Sequence, residues 1–450
     1  METYFNTYFS KETKTANLAV FRVFFGIMMF FSTLRFLSYG WVDKLYIQPK
    51  FFFSYYGFEW IKPLGVYTYA LFIVCLISSF LIIIGYKYRY SIIVFFLCFT
   101  YIELMDKTTY LNHYYFVSCL SFLLLFLPAN RRFSLDAYLD NSLNQEYIPK
   151  WNVDCIKVML FIVYFYAGLA KLNSDWLLEA MPLKIWLPSN YDLPILGSLL
   201  QKEWVHYAFS WGGALYDLMI PFLLLYKPTR WFGFFMVVVF HVLTRILFPI
   251  GVFPFVMIVS ALIFFDSDFH EKLIHKSSKL MKLKPLNNSV VGQRFPRKIP
   301  LLIIGLFLLI QLLLPWRYLL YQNELFWTEE GYRFSWRVML MEKAGYAQFK
   351  VVDSASGKSF LIDNNDFLTS FQEKQMSTQP DFILQYAHYL ADHFSENGAK
   401  NIEVYVESYV AINGRLSQPY VDPKVDLAKE KDSFAPKNWI LNFNDDIKGL

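Results

Sequence analysis

Over most of the chain the apolar positions do not alternate; they come in unbroken runs. The runs fall near 18–39, 67–85, 91–105, 110–128, 155–172, 207–226, 231–248, 252–266 and 299–320. A helix rising ~1.5 Å per residue needs about 20 residues to cross a hydrocarbon core of ~30 Å, so the runs predict about nine transmembrane helices. The third and fourth runs are short or poorly separated. After about residue 321 the pattern changes. FKVVDSASGKSFLID alternates around a Ser-Gly turn, as a hairpin does, and NIEVYVESYVAING reads as a strand entering a turn. DFILQYAHYLADHF spaces its apolar residues by three and four, as an amphipathic helix does. The predicted fold class is therefore mainly α: a polytopic membrane helix bundle over 1–320, then a small extracytoplasmic α+β domain over 321–450.

Composition agrees with a bilayer as solvent. Hydrophobic residues make up 56% of the 450 positions and charged ones 18%, against about 25% in soluble domains. Charge also predicts orientation. Alternate loops carry Lys87 and Arg89, then Arg131 and Arg132, then Lys227 and Arg230, then the basic stretch from Lys272 to Lys298. The positive-inside rule makes these loops and the N-terminus cytoplasmic, in a cell membrane, and puts everything after Arg317 outside. The net charge of +5 is thus a loop signature, and no nucleic-acid partner is expected. The apolar run after Asn17 is too long for a signal-peptide core, so the first helix is expected to stay as an anchor. Four cysteines without a C-x-x-C pair suggest neither zinc nor redox chemistry; they read as buried free thiols.

With that orientation the ionisable residues acquire a depth. Arg35, then Asp106, Lys107, Asn112 and His113 in MDKTTYLNHYY, then Lys171 in AGLAKLNSDW, then His241 and Arg245 in FHVLTRILF share the outer leaflet. FWTEEGYRFSW begins the outer tail beside them. Ionisable groups at membrane depth are costly and usually face a bundle interior, so the cluster is a candidate site; snorkelling of long side chains is the plainer alternative. Asp217 in SWGGALYDLMIPF reads as a helix–helix polar contact, with Gly212 and Gly213 allowing close packing. The aromatic stretch GWVDKLYIQPKFFFSYYGFEWIKPLG suits the membrane interface, or a shield over a lipid-like substrate. H-E-x-x-H, P-loop and G-x-S-x-G motifs are absent, and no metal site is expected.

Eight stretches then carry a resemblance: LAVFRVFFGIMM, LYIQPKFFFSYYGFEW, MDKTTYLNHYY, FIVYFYAGLAKLNSDW, SWGGALYDL, FHVLTRILFPIGVFPFVM, WTEEGYRFSW and VAINGRLSQPYVDPKVDL. In this order, over about 17–427, they resemble the vitamin K-dependent gamma-carboxylase family, in its bacterial branch built on the HTTM membrane domain. The resemblance implies an enzyme of the carbon–carbon lyase class. It oxygenates a reduced naphthoquinone (reduced vitamin K or menaquinol) with O2 and uses the base formed to remove a γ-proton from peptidyl glutamate. CO2 then adds, giving γ-carboxyglutamate and the quinone epoxide. Lys171 matches the lysine assigned to deprotonating the hydroquinone. Burial can lower a lysine pKa by several units, which an amine needs if it is to act as a base. Asn112 and His113 match the Asn-His pair linked to oxygenation and carboxylation. Trp327, Tyr332, Ser335 and Trp336 match residues that handle the glutamyl substrate, and His241 and Arg245 are placed with them. Animal enzymes have a second lysine where this chain has Ala170 and a histidine where it has Met341. Implied partners are the bilayer, the quinone and a glutamate-containing peptide or protein. Two rivals stand beside this reading: a hydroquinone epoxidase that does not carboxylate, and a non-enzymatic quinone- or lipid-binding membrane protein. The last has no need of both Lys171 and His113.

Overall fold

The computed structural model describes residues 7–282 and 298–449. In chain order its main helices are α1 (Ala16–Ser38), α2 (Thr68–Ile84), α3 (Tyr88–Met105), α4 (Asn112–Phe126), α5 (Trp151–Leu169), α6 (Glu203–Leu225), α7 (Arg230–Leu247), α8 (Phe253–Ala261), α9 (Ser267–Leu280), α10 (Lys298–Leu313) and α11 (Pro380–Glu396). Every apolar run is helical, but not every run is a full span. Among the described residues seven helices are long and apolar enough to cross a membrane. The two exceptions have separate causes. Helix α4 has 15 residues, ~22 Å of rise, because a polar turn at Asp106–Tyr110 delays its start. Helix α8 and its short continuation to Phe264 meet α9 at a bend of 114°. There Asp266 and Asp268 open a polar helix that lies against α1, with Asp268 on Lys14 at 3.0 Å and Ile274 buried. The basic stretch expected as a loop over 267–298 therefore begins as a helix; its residues 283–297 lie outside the described ones.

A short antiparallel pair, β1 (Glu12–Lys14) with β2 (Tyr147–Pro149), ties the start of the chain to the start of α5. Three-residue strands leave no readable alternation, so sequence pattern missed them. At the other end of the bundle, β3 (Lys343–Asp353), β4 (Lys358–Leu361), β5 (Ile402–Ile412) and β6 (Gln418–Pro419) form an antiparallel sheet in the order β4-β3-β5-β6. The register sets Phe349 opposite Val406 and Val351 opposite Val404. These side chains share one face, which α11 covers with Phe382, Ile383, Tyr386 and Leu390, all fully buried.

The sheet and the bundle are not separate bodies. One hydrophobic core joins Phe349, Val406 and Leu390 of the sheet region to Ala170, Trp176, Ala214 and Leu247 at the helix ends. The aromatic stretch after α1 is a strap between them. Phe53 is fully buried against Phe382 at 4.7 Å, and Phe51 lies 4.5 Å from Tyr389. Only its far side stays as expected for an interface, with Trp60 72% exposed. Most of the candidate residues gather at this junction.

Candidate functional site

Lys171 sits just past the C-terminal end of α5, where the last turn leaves carbonyls without intrahelical partners. Its Nζ donates to the Ala167 carbonyl at 3.0 Å and to Asp217 Oδ2 at 2.8 Å, and it stands 5.3 Å from the ring centroid of Trp176. Both members of the pair are about 6% exposed. Helix α6 brings Asp217 this close because Gly168 lets the helices touch: a β-carbon there would meet Leu218 at 2.7 Å. The small residues expected to permit that packing do not. Gly212 faces open space and Gly213 meets Trp176 at an ordinary 3.7 Å. Asp217 is indeed a helix–helix contact, and its partner is the candidate base. The sequence signal was present in two ionisable residues at membrane depth; their pairing across 46 positions was not readable.

From this pair a chain of rings runs into the bundle. Tyr216 stacks on Phe240 at 3.9 Å, and Tyr164 hydroxyl lies 3.1 Å from His241 Nε2. His241 and His113 each lie 5.7 Å from Phe253. His241 Nδ1 is buried without a partner. So is Arg35 Nε, whose guanidinium approaches Gly251, where a β-carbon would come within 3.2 Å. Buried polar atoms rarely stay unpaired, and these two face an aromatic surround. Among the described residues no group of three His, Cys, Asp or Glu side chains could hold a metal.

The other candidates divide. Asn112 does not face the rings: it donates to the Arg337 carbonyl at 2.9 Å and accepts from Tyr110 at 3.0 Å, so it fastens the tail to α4. Trp336 is 1% exposed and stacks on Tyr115 at 5.0 Å, with its Nε1 unpartnered. Ser335 donates to the Gly331 carbonyl at 2.6 Å and lines a small cavity with Arg337. Trp327 is placed elsewhere, in the core beneath the sheet, donating to Leu441 and stacked on Phe443. Tyr332 is half-buried beside Phe326, and burial, with Glu329, pushes its hydroxyl pKa up. Arg245 is exposed on α7 and is not brought into the group. Glu329, Phe334, Trp336 and Met339 all have φ between 53° and 61°. That left-handed region is strained for bulky side chains, and four such residues within eleven mark a segment held in place by its surroundings.

What holds it is a set of buried ion pairs that sequence reading did not anticipate. Asp381, at the start of α11, receives Lys107 at 2.6 Å and Arg333 at 2.7 Å. Burial alone would push its carboxyl up, but the two cations overcome this and hold it well below the usual range. Lys343 pairs with Glu329 at 2.9 Å and donates to the Trp327 carbonyl. Asp175, just after Lys171, takes both Arg415 nitrogens at 2.7 Å and Asn413 besides. The tail is therefore clamped directly to the segment that carries the candidate base.

Two family models match this chain. The HTTM domain matches residues 10–269, more than half of it, and the vitamin K-dependent gamma-carboxylase lumenal domain matches residues 296–446. No solved structure matches it. The first model covers α1 to the start of α9, with the buried Lys171, and the second covers α10 and the sheet region, so two modules of one family follow in order and nearly end to end. The chain belongs to the vitamin K-dependent gamma-carboxylase family.

Proposed function

We propose that this protein is a multi-pass membrane enzyme that oxygenates a reduced naphthoquinone to its epoxide and carboxylates peptidyl glutamate with CO2. In this reading residues 1–320 form the membrane domain, and residues 321–450 lie outside the cytoplasm. The observation that carries it is the Lys171–Asp217 pair, buried at the end of a chain of packed rings. When bound, the reduced quinone supplies, by its reaction with oxygen, a base strong enough to remove a glutamyl γ-proton.

The residues of this chain have four tasks. The rings of Phe253, Tyr216 and Phe240 bind and orient a flat apolar substrate, and their packing excludes water. His241 and Arg35 offer N–H groups to its oxygens. His113, across Phe253, receives or returns a proton at its ring. Lys171 takes the hydroquinone proton, and Asp217 makes that possible. The pair can be written as ammonium and carboxylate or as amine and carboxylic acid, two forms that differ by one proton moved along a 2.8 Å contact. In the second form the nitrogen is a neutral amine, and turning its lone pair from the Asp217 hydrogen toward the quinone lets it accept. A lone ammonium would not be a base at all.

A second reading, oxygenation without carboxylation, rests on Met341. It packs as an apolar contact in the core beneath the sheet and offers no group for proton transfer. The test of the pair is a set of Lys171 variants assayed for epoxide. Lys171→Ala should lose at least 10²-fold, the usual scale for a general base. Lys171→Arg keeps the charge and the contact with Asp217, but guanidinium does not give up its proton, so it should not restore activity. Near-normal epoxidation by the arginine variant would return Lys171 to the role of an interfacial anchor.

A further inference from the structure

At the junction of bundle and sheet most cations come with carboxylates; half-buried Arg317, which donates to the Arg333 carbonyl, is one that does not. Lys107, Arg333, Lys343 and Arg415 each have one within 3 Å. Arg337 does not. It is 5% exposed, and its Nε and Nη1 have no hydrogen-bond partner. Its guanidinium lies 4.6 Å over the Tyr318 ring. The Tyr318 hydroxyl also hydrogen-bonds it, and Glu324 acts on it only at a distance, without forming an ion pair. A buried charge left uncompensated is among the costliest features a fold can hold. A guanidinium offers several donors in one plane, and a carboxylate is the anion they match best.

The surroundings say where such a carboxylate would come from. Arg337 lines a half-open cavity of about 20 Å³ with Ser335, Tyr318, Trp316, Tyr166 and Ala170. That volume holds one or two water-sized probes, so it fits the tip of a side chain and not a whole residue. Ala170 directly precedes Lys171. A carboxylate seated here would therefore lie beside the end of the helix that carries the candidate base. The backbone on the other side is the strained stretch through Phe334, Trp336 and Met339.

We propose that Arg337 is the point at which the γ-carboxylate of the glutamyl substrate is bound, a role that rests on the carboxylation reading above. The chemistry needs a cation at this place. When the γ C–H bond breaks, its proton goes to the base that the oxygenated quinone supplies. The electron pair delocalises onto a carboxylate that is already charged, and then forms the new C–C bond to CO2. Doubling negative charge on one carboxyl group is opposed unless a fixed cation faces it, and a guanidinium in a dry site acts more strongly there than it would in water. The same contact gives specificity, since glutamine presents no charge to Arg337. A structural role, in which Arg337 only stacks on Tyr318, makes different predictions.

The experiment uses the full-length protein in detergent, without quinone or oxygen. Binding of a blocked peptide containing one glutamate is compared with that of the same peptide containing glutamine. The wild type should prefer the glutamate peptide by at least tenfold. Arg337→Met should lose that preference, and Arg337→Lys, a point charge without the fork, should keep part of it. The melting temperature of Arg337→Met should equal or exceed the wild-type value, because the variant removes an uncompensated charge. A clear drop in melting temperature with the preference retained would assign Arg337 to structure and overturn the proposal. If Arg337→Met does not fold, Arg337→Lys decides: an undiminished preference in it overturns the proposal. Equal binding of the two peptides to the wild type would also overturn it. Displacement of both peptides alike by bicarbonate would assign the site to the carbon dioxide species instead. None of these readings needs turnover, so a failure to form epoxide would defeat the proposed reaction without deciding this site.

Discussion

At the residue scale two carboxylates show how environment sets role. Asp217 is argued to share a proton with Lys171, so Asp217→Asn should keep the contact but remove the proton's second home. Epoxidation should fall by roughly 10²-fold, with a changed pH profile, while the protein stays folded. An unchanged profile would mean that Asp217 only fills a polar gap. Asp106 titrates in a measurable range. Burial pushes it up to about 6 from 3.8, against hydrogen bonds from Thr108 and Gln372, with Lys107 beside it in the chain. The native state then binds the proton more tightly than the unfolded chain. Stability should rise as pH falls from about 6 toward 3.8, and be lowest on the alkaline side of that window. Asp381 is shifted the other way, and its contribution is lost only below the ordinary carboxylate range. Melting curves at several pH values should show this slope in the wild type and lose it in Asp106→Asn; equal slopes would refute the assignment. Lys171, His113 and His241 stood out in the sequence because charge and imidazole are rare in apolar runs. Asp217 and Asp175 had the same chemistry, but their meaning lies in partners 46 and 240 positions away, which one-dimensional spacing does not carry.

At the element scale, apolar runs named the helices because a bilayer leaves few other ways to satisfy a backbone. They could not say which helices cross. The length of α4 is fixed by a polar turn, and the bend between α8 and α9 by two aspartates at the end of an apolar run. The hairpin of β3 and β4, α11 and β5 were all legible, since each keeps its period for several residues. The contact between the sheet and α5 was not. Asp175, 2% exposed, holds Arg415 by two bonds and so links the strand-end turn after β5 to the Lys171 segment. Asp175→Ala should cost roughly 2–3 kcal/mol, below the ~3–5 of a fully buried pair because Arg415 is partly exposed. Thermal unfolding checks the number, and no loss would mean that the packing of Trp176 alone holds the segment.

For the whole molecule, the proposed reaction needs the sheet region on one side of the bilayer and α9 on the other. Single cysteines at Ser354 and Ser277 test this. An impermeant reagent on intact cells should label the first and spare the second, and the reverse result would remove the common outer face. In the proposed reaction that geometry lets a protein substrate approach from outside and the quinone from the membrane. The most direct measurement is made on the purified full-length protein with reduced vitamin K, oxygen, labelled bicarbonate and a glutamate peptide, reading epoxide and fixed label separately. Both products, absent in Lys171→Ala and with label incorporated only into the glutamate peptide, are the predicted result. Neither product above the Lys171→Ala background would contradict the account.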